Sequence, residues 1–163
     1  MARFKSVKVG EEYLLKLSRL SQGADRIIKS AIYDGADVVA DAIQESIRAL
    51  PEEHFRKLRE GERSTGVSPT QKRALSQGFG LASMEQDGQG WNTKAGFAGY
   101  MEEGKSKKYP NGLPIPLLAR SIESGSSVRQ KHPFVRAAVK SSRDKAVEEM
   151  ETTINVEIQK TMK

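Results

Sequence analysis

From Ala24 to Ala49 the apolar positions Ala24, Ile27, Ile28, Ala31, Ile32, Gly35, Val38, Val39, Ala42, Ile43 and Ile47 recur at steps of three and four. That spacing predicts one long amphipathic helix. Asp25, Asp34, Asp37, Asp41 and Glu45 fall off the stripe, and Pro51 disfavours the helical region for Leu50 and so ends the helix. A second such pattern opens after Pro133. Val135, Ala138, Val139, Ala146, Val147, Met150, Ile154 and Ile158 predict a helix running nearly to the last residue, with these positions as its buried stripe. Upstream, Phe4, Val7 and Val9 read as a short edge strand closed by Gly10, and Tyr13, Leu14, Leu15, Leu17 and Leu20 as a first helical turn or two.

The middle of the chain has shorter periods. Residues 52–68 are rich in charge, Ser, Thr and Gly, which predicts a short exposed helix and then a mobile loop around Gly61 to Val67. Ser68-Pro69-Thr70-Gln71 supplies an N-cap, a proline at the first helical position and a glutamine that reaches back, so a short helix is expected from Pro69 to about Gln77. Phe79 to Glu85 and Trp91 to Met101 read as two strands of a hairpin about a polar turn at Gln86 to Gly90, with Gly96 and Gly99 marking a bulge or a close backbone approach. Residues 104–114 predict an exposed basic loop, either disordered or an interaction arm. Pro116 to Ser124 predicts a short helix with Gly125 as a left-handed cap, and residues 125–132 a second exposed loop. Two long helices across one face of a small antiparallel β-sheet, with short helices and long loops, make the predicted class α+β in a single domain, residues 1–163.

Charge adds less than its sum suggests. The 27 Lys and Arg against 21 Asp and Glu leave +6, but the basic and acidic counts are 8 and 7 over residues 1–50, 10 and 8 over 51–110, and 9 and 6 over 111–163. Such mixing is the pattern of a solvated surface more than of a phosphate-binding stripe. No run reaches the roughly 18 apolar residues of a spanning helix. The first ten residues have basic groups but no apolar block behind them, so no secretory signal is expected.

Candidate chemistry is sparse. With no cysteine there is no disulfide, thiolate nucleophile or thiolate-ligated metal, and His54 and His132 alone supply a metal site poorly. Gly78 to Ser83 approximates a dinucleotide fingerprint but precedes a strand and lacks the third glycine. Neither Glu102-Glu103 nor Glu148-Glu149 forms an acid-base pair by spacing, since adjacent helical residues point about 100° apart. No enzyme, cofactor or metal is predicted. Two basic clusters are the candidate interaction residues: Lys105, Lys107, Lys108 and Tyr109, and then Arg129, Lys131, Arg136, Lys140 and Arg143. The second lies at the positive end of the last helix, against its dipole, which suggests that this turn faces a partner.

Three separated pieces carry a resemblance. They are Gly96-Phe97-Ala98-Gly99-Tyr100, Pro116 to Ser127 (PLLARSIESGSS) and Lys131 to Ala138 (KHPFVRAA). Together with the proline-ended first helix and Gln71 to Ala82 (QKRALSQGFGLA), they resemble the tail-completion, or head-to-tail joining, proteins of long-tailed bacteriophages and prophages, which are minor tail components. Gly96, Phe97, Gly99, Tyr100, Glu123, Gly125, Pro133 and Phe134 are the matching motif positions; Ala98, Ser126 and Ala137 depart from the usual acidic residue, threonine and proline. The resemblance implies a structural virion protein, assembled in the bacterial host cytoplasm and then resident at the neck. It implies a homo-oligomeric ring that joins the tail tube or tail terminator to the head connector, with DNA at most passing through the lumen and no membrane contact. A small basic nucleic-acid-binding protein is the alternative that the two basic clusters leave open.

Overall fold

The computed structural model describes residues 10–54, 58–102 and 105–163. The elements in order are α1 (Glu11–Ala49), α2 (Pro69–Gly78), β1 (Phe79–Leu81), β2 (Glu85–Asp87), β3 (Gly90–Asn92), β4 (Ala95–Phe97), α3 (Ile115–Ser124) and α4 (Val135–Met162). The class is α+β, with two long helices and two small antiparallel ladders. The expected edge strand at Phe4 to Val9 lies outside the described residues.

The first helix starts earlier than the Ala24 stripe predicts. Nothing between Glu11 and Ala24 breaks it except Gly23, which costs a helix only about 1 kcal/mol relative to Ala. The Tyr13 to Leu20 turns are therefore the first part of α1, a helix of 39 residues. It ends as expected, with Leu50 extended ahead of Pro51.

α4 runs back along α1. Thr153 Oγ1 donates to Asp34 Oδ2 at 2.6 Å, and Arg26 and Glu157 pair at 4.0 Å. A Cβ on Gly35 would stand 2.5 Å from Met150 Cγ and 3.1 Å from the Ala146 carbonyl, so α1 presents no side chain at this point and Met150 of α4 lies over the bare glycine. This overturns part of the predicted stripe on α4. Val139 and Val147 are exposed, and the buried positions are Ala138, Ser142 and Ala146. Contact at this distance selects small residues, and Ser142 tolerates burial because its hydroxyl donates to the Ala138 carbonyl at 2.8 Å.

The core sits where the lower half of α1 meets the other elements. Ile43, Ile47 and Leu50 pack with Val67, Leu75, Met101, Ile115, Leu118, Ile122 and Phe134. Beyond it, α1 and α4 continue as a two-helix stem holding Ile27, Ala31 and Ala146. α2 opens with the anticipated capping box: Gln71 N–H donates to Ser68 Oγ at 3.1 Å, and Ser68 N–H to Gln71 Oε1 at 3.3 Å.

The hairpin is broken into two ladders. β1 pairs with β4 in the register Phe79 with Phe97, Gly80 with Gly96 and Leu81 with Ala95; β2 pairs with β3 as Glu85 with Asn92, Gln86 with Trp91 and Asp87 with Gly90. Between them the chain is held by Thr93 Oγ1 donating to the Ala82 carbonyl, and the outer ladder lies on α1, where Lys29 Nζ stands 3.6 Å from the Trp91 ring centre. Gly96 marks neither a bulge nor a close approach, since nothing lies within 4 Å of its would-be Cβ; Gly99, at φ +88°, turns the chain out of β4 instead.

Residues 52–68 depart from the expected short helix and mobile loop, and the reason is long-range hydrogen bonding. No described residue between Leu50 and Ser68 is helical. Glu53 N–H donates to the Val67 carbonyl and Val67 N–H to the Pro51 carbonyl, both at 2.9 Å. The Glu53 carboxylate accepts from Ser64 Oγ and the Thr65 and Gly66 amides. Gly61 to Val67 is thus fastened to the strand-like stretch Pro51 to Glu53. The 125–132 loop joins it, with Ser64 N–H donating to the Val128 carbonyl and Gln130 N–H to the Ser64 carbonyl.

Candidate functional site

The two basic clusters have different fates. Arg129 is not a surface cation: it is half-buried, and its guanidinium donates to the Gly66 carbonyl and, at 3.0 Å, to Gln71 Oε1. Burial draws it below the ordinary arginine value, with the Glu53 carboxylate opposing the shift. It fastens two loops to the start of α2 and is withdrawn from the interaction set.

Arg136, Lys140 and Arg143 remain exposed on successive turns of α4. Their spacing of four and three places them on one side of the helix. Arg136 pairs with Glu123 at 3.5 Å. Lys131 is exposed in the preceding loop.

Glu123 answers the unfavourable charge order of α4. Its carboxylate oxygens accept from the Val135 and Arg136 amides at 2.9 and 3.2 Å, so a side chain of α3 caps the first turn of α4, which has no side-chain cap of its own. A carboxylate at this end is favoured both by the free amides and by the dipole. Glu123→Ala is expected to lower the unfolding free energy by about 2 kcal/mol, and Glu123→Gln by about half of that. Equal urea midpoints for both variants and the parent would show that this cap is not formed.

The other cluster is an ordered turn and not a disordered arm. Ser106 and Tyr109 exchange backbone hydrogen bonds at 3.1 and 3.0 Å, and Gly112 N–H donates to the Tyr109 carbonyl. Lys105, Lys107 and Lys108 are exposed, with Lys108 Nζ 5.4 Å from the Tyr109 ring centre. Among the described residues no hydrogen bond, ion pair or ring contact joins this turn to the α4 stripe, so the structure presents two separate basic patches.

The motif residues do come together. Phe97 stands 5.2 Å from Phe79 and 6.1 Å, edge on, from Phe134, which is 3% exposed. Glu123 lies one residue from the end of α3, and Gly125 follows at φ +77° and ψ 172°, a positive-φ turn other than the expected left-handed helical cap. Pro133 and Tyr100 are exposed. His132 N–H closes the loop by donating to the Ile122 carbonyl at 2.8 Å.

Sequence reasoning did not find two surface features. One is a 470 Å³ groove between β4, α3 and the first turn of α4. The other is the exposed apolar start of α1, with Tyr13, Leu14, Leu15 and Leu17 all more than a third exposed. The clustering of four large apolar residues in five positions was visible in the sequence; the groove was not, because its walls come from distant segments. Among the described residues no group of three His, Asp or Glu could hold a metal ion, and no helix is long and apolar enough to cross a membrane. No family model, no curated protein and no solved structure matches the chain.

Proposed function

We propose that this chain is a structural protein of a phage or prophage particle, one that completes the tail and joins tail tube to head connector as part of a ring. The observation that supports the reading most is the convergence of the three motif pieces. Phe97 from the glycine-aromatic strand, Glu123 from the PLLARSIES helix and Phe134-Val135 from the HPFVRAA entry meet around the base of α4. Segments that carry a resemblance separately are thus parts of one packing unit.

Immunogold electron microscopy on phage-like particles from the source strain tests the reading. Gold at the junction of head and tail is the expected result, and abundant particles left unlabelled by an antibody that binds the native protein would overturn it. In the same particles, replacing Lys105, Lys107 and Lys108 together by alanine is expected to change stability by no more than about 0.5 kcal/mol while lowering particle yield. Normal yield would remove the turn from any assembly contact.

The exposed stripe of Arg136, Lys140 and Arg143 supports a second reading, a small duplex-DNA-binding protein. That activity would show log affinity falling against log salt with a slope of about −0.9 per neutralised phosphate. Salt-independent or undetectable binding of the free protein counts against it.

A further inference from the structure

The first turns of α1 expose a cluster of large apolar side chains, Tyr13, Leu14, Leu15 and Leu17. Contacts of Gly35 with Met150, Asp34 with Thr153 and Arg26 with Glu157 set the two stem helices antiparallel, so that the end of α4 at Met162 falls near the level of Gln22. Glu11 to Leu20 therefore runs about 15 Å past it. Tyr13, Leu14 and Leu17 fall within a sector of about 100° on this arm, and Tyr13 and Leu17 prolong the stripe that α4 covers at Ile27 and Ala31. At its tip Glu11 is exposed beside Leu14, one helical turn away, and pairs with no cation among the described residues.

A groove lies at the other end of the molecule. Phe97, Pro116, Ala119 and Val135 line it, and Arg120 and Arg136 stand at its rim. Arg136 is engaged by Glu123, whereas Arg120 is exposed and has no ion pair among the described residues. An apolar channel with an available cation fits an amphipathic helix that carries a carboxylate at its end.

Arm and groove cannot meet within one chain. The groove touches Ile43, the arm ends at Leu17, and the intervening rigid helix is about 39 Å long. We infer that the occupant is a second copy: the α1 arm of one subunit docks, helix in groove, between β4, α3 and α4 of the next, with Glu11 facing Arg120. The contact is heterologous, arm of one copy to groove of another, and such contacts propagate head to tail until they close as a ring. This inference rests on the ring reading above and names the surfaces that build it.

Sedimentation velocity on the full chain tests it. The parent is expected to associate with rising concentration. An arm variant, L14D with L17D, and a groove variant, Arg120→Glu, are each expected to weaken association about tenfold or more while keeping the parent's circular dichroism and melting temperature, because all three side chains are exposed. The decisive sample is the mixture. The arm variant retains a groove and the groove variant an arm, so equal amounts should form a one-to-one complex and nothing larger. Parent-like association of both variants overturns the arm and groove assignment while leaving a ring built by other surfaces. That result would also follow if the chain's own residues 1–9, or an unrelated protein, covered the arm. A groove variant that associates like the parent, when the arm variant does not, overturns the assignment in favour of arm-to-arm pairing, and a mixture that stays monomeric while the parent associates overturns it outright. A parent that is monomeric at its highest soluble concentration also overturns it, and particle labelling then decides the virion reading independently.

Discussion

Replacing Phe134 by alanine is expected to lower the unfolding free energy by about 3–5 kcal/mol. The ring is 3% exposed, meets Phe97 edge on at 6.1 Å and belongs to the cluster formed with Ile43, Leu118 and Ile122. Truncation removes its burial and leaves a cavity bounded by helices that other contacts hold in place, so collapse into the void is restricted. For a chain of this size each kcal/mol moves the melting temperature by about 2–4 °C, which makes the effect easy to read. Phe134→Leu keeps most of the volume and should cost under about 1.5 kcal/mol. A Phe134→Ala variant with an unchanged melting temperature would mean that the entry to α4 does not close on the sheet.

The contrast between what was and was not legible in the sequence follows from the range of the forces involved. α2 was readable because Ser68, Pro69 and Gln71 act within one turn of each other. The lower half of α1 was readable because its stripe faces a large apolar core, and burial there sorts residues by hydrophobicity. On α4 that sorting fails. Its contact with α1 is made across Gly35 by Ala146 and Met150, so residue size decides, and Val139 and Val147 are left in solvent. The loop at 61–67 reads as mobile from its composition because Glu53 and Arg129, which fasten it, act from far along the chain.

The candidate interaction residues divide in the same way. Exposure of Lys105, Lys107, Lys108, Lys140 and Arg143 follows from local polarity, whereas the inward turn of Arg129 depends on the Gly66 carbonyl and Gln71, far away in sequence. Glu123 was identifiable only as a motif position. Its work as the cap of α4 requires two helices to be brought together by the Ile122 to His132 closure, which no periodicity encodes.

Gly112→Ala should be nearly as damaging as the loss of Phe134, through the backbone alone. Gly112 is buried with φ +100°, a conformation that side chains rarely adopt, and an added Cβ would fall 1.7 Å from the Met101 carbonyl oxygen and 2.9 Å from its carbon. Neither partner yields easily. Met101 N–H donates to the Leu113 carbonyl at 2.9 Å, and Gly112 N–H to the Tyr109 carbonyl at 3.0 Å, so separating the segments breaks the crossing that seats Met101 in the core. Strain of about 1–3 kcal/mol for the dihedral, with a comparable amount for overpacking, gives an expected loss of about 3–5 kcal/mol. Gly88→Ala is the control, since nothing lies within 4 Å of its would-be Cβ and its φ is not positive; it should be neutral or stabilising by up to about 1 kcal/mol. The pair of variants also separates fold from function at the basic turn. Gly112→Ala disturbs the base of the Lys105 to Tyr109 turn and must lower stability, whereas the triple lysine variant removes its charge and must not. A Gly112→Ala protein as stable as the parent would show that the two segments crossing at Met101 and Gly112 are not in contact, and the ordered turn they support would fall with them.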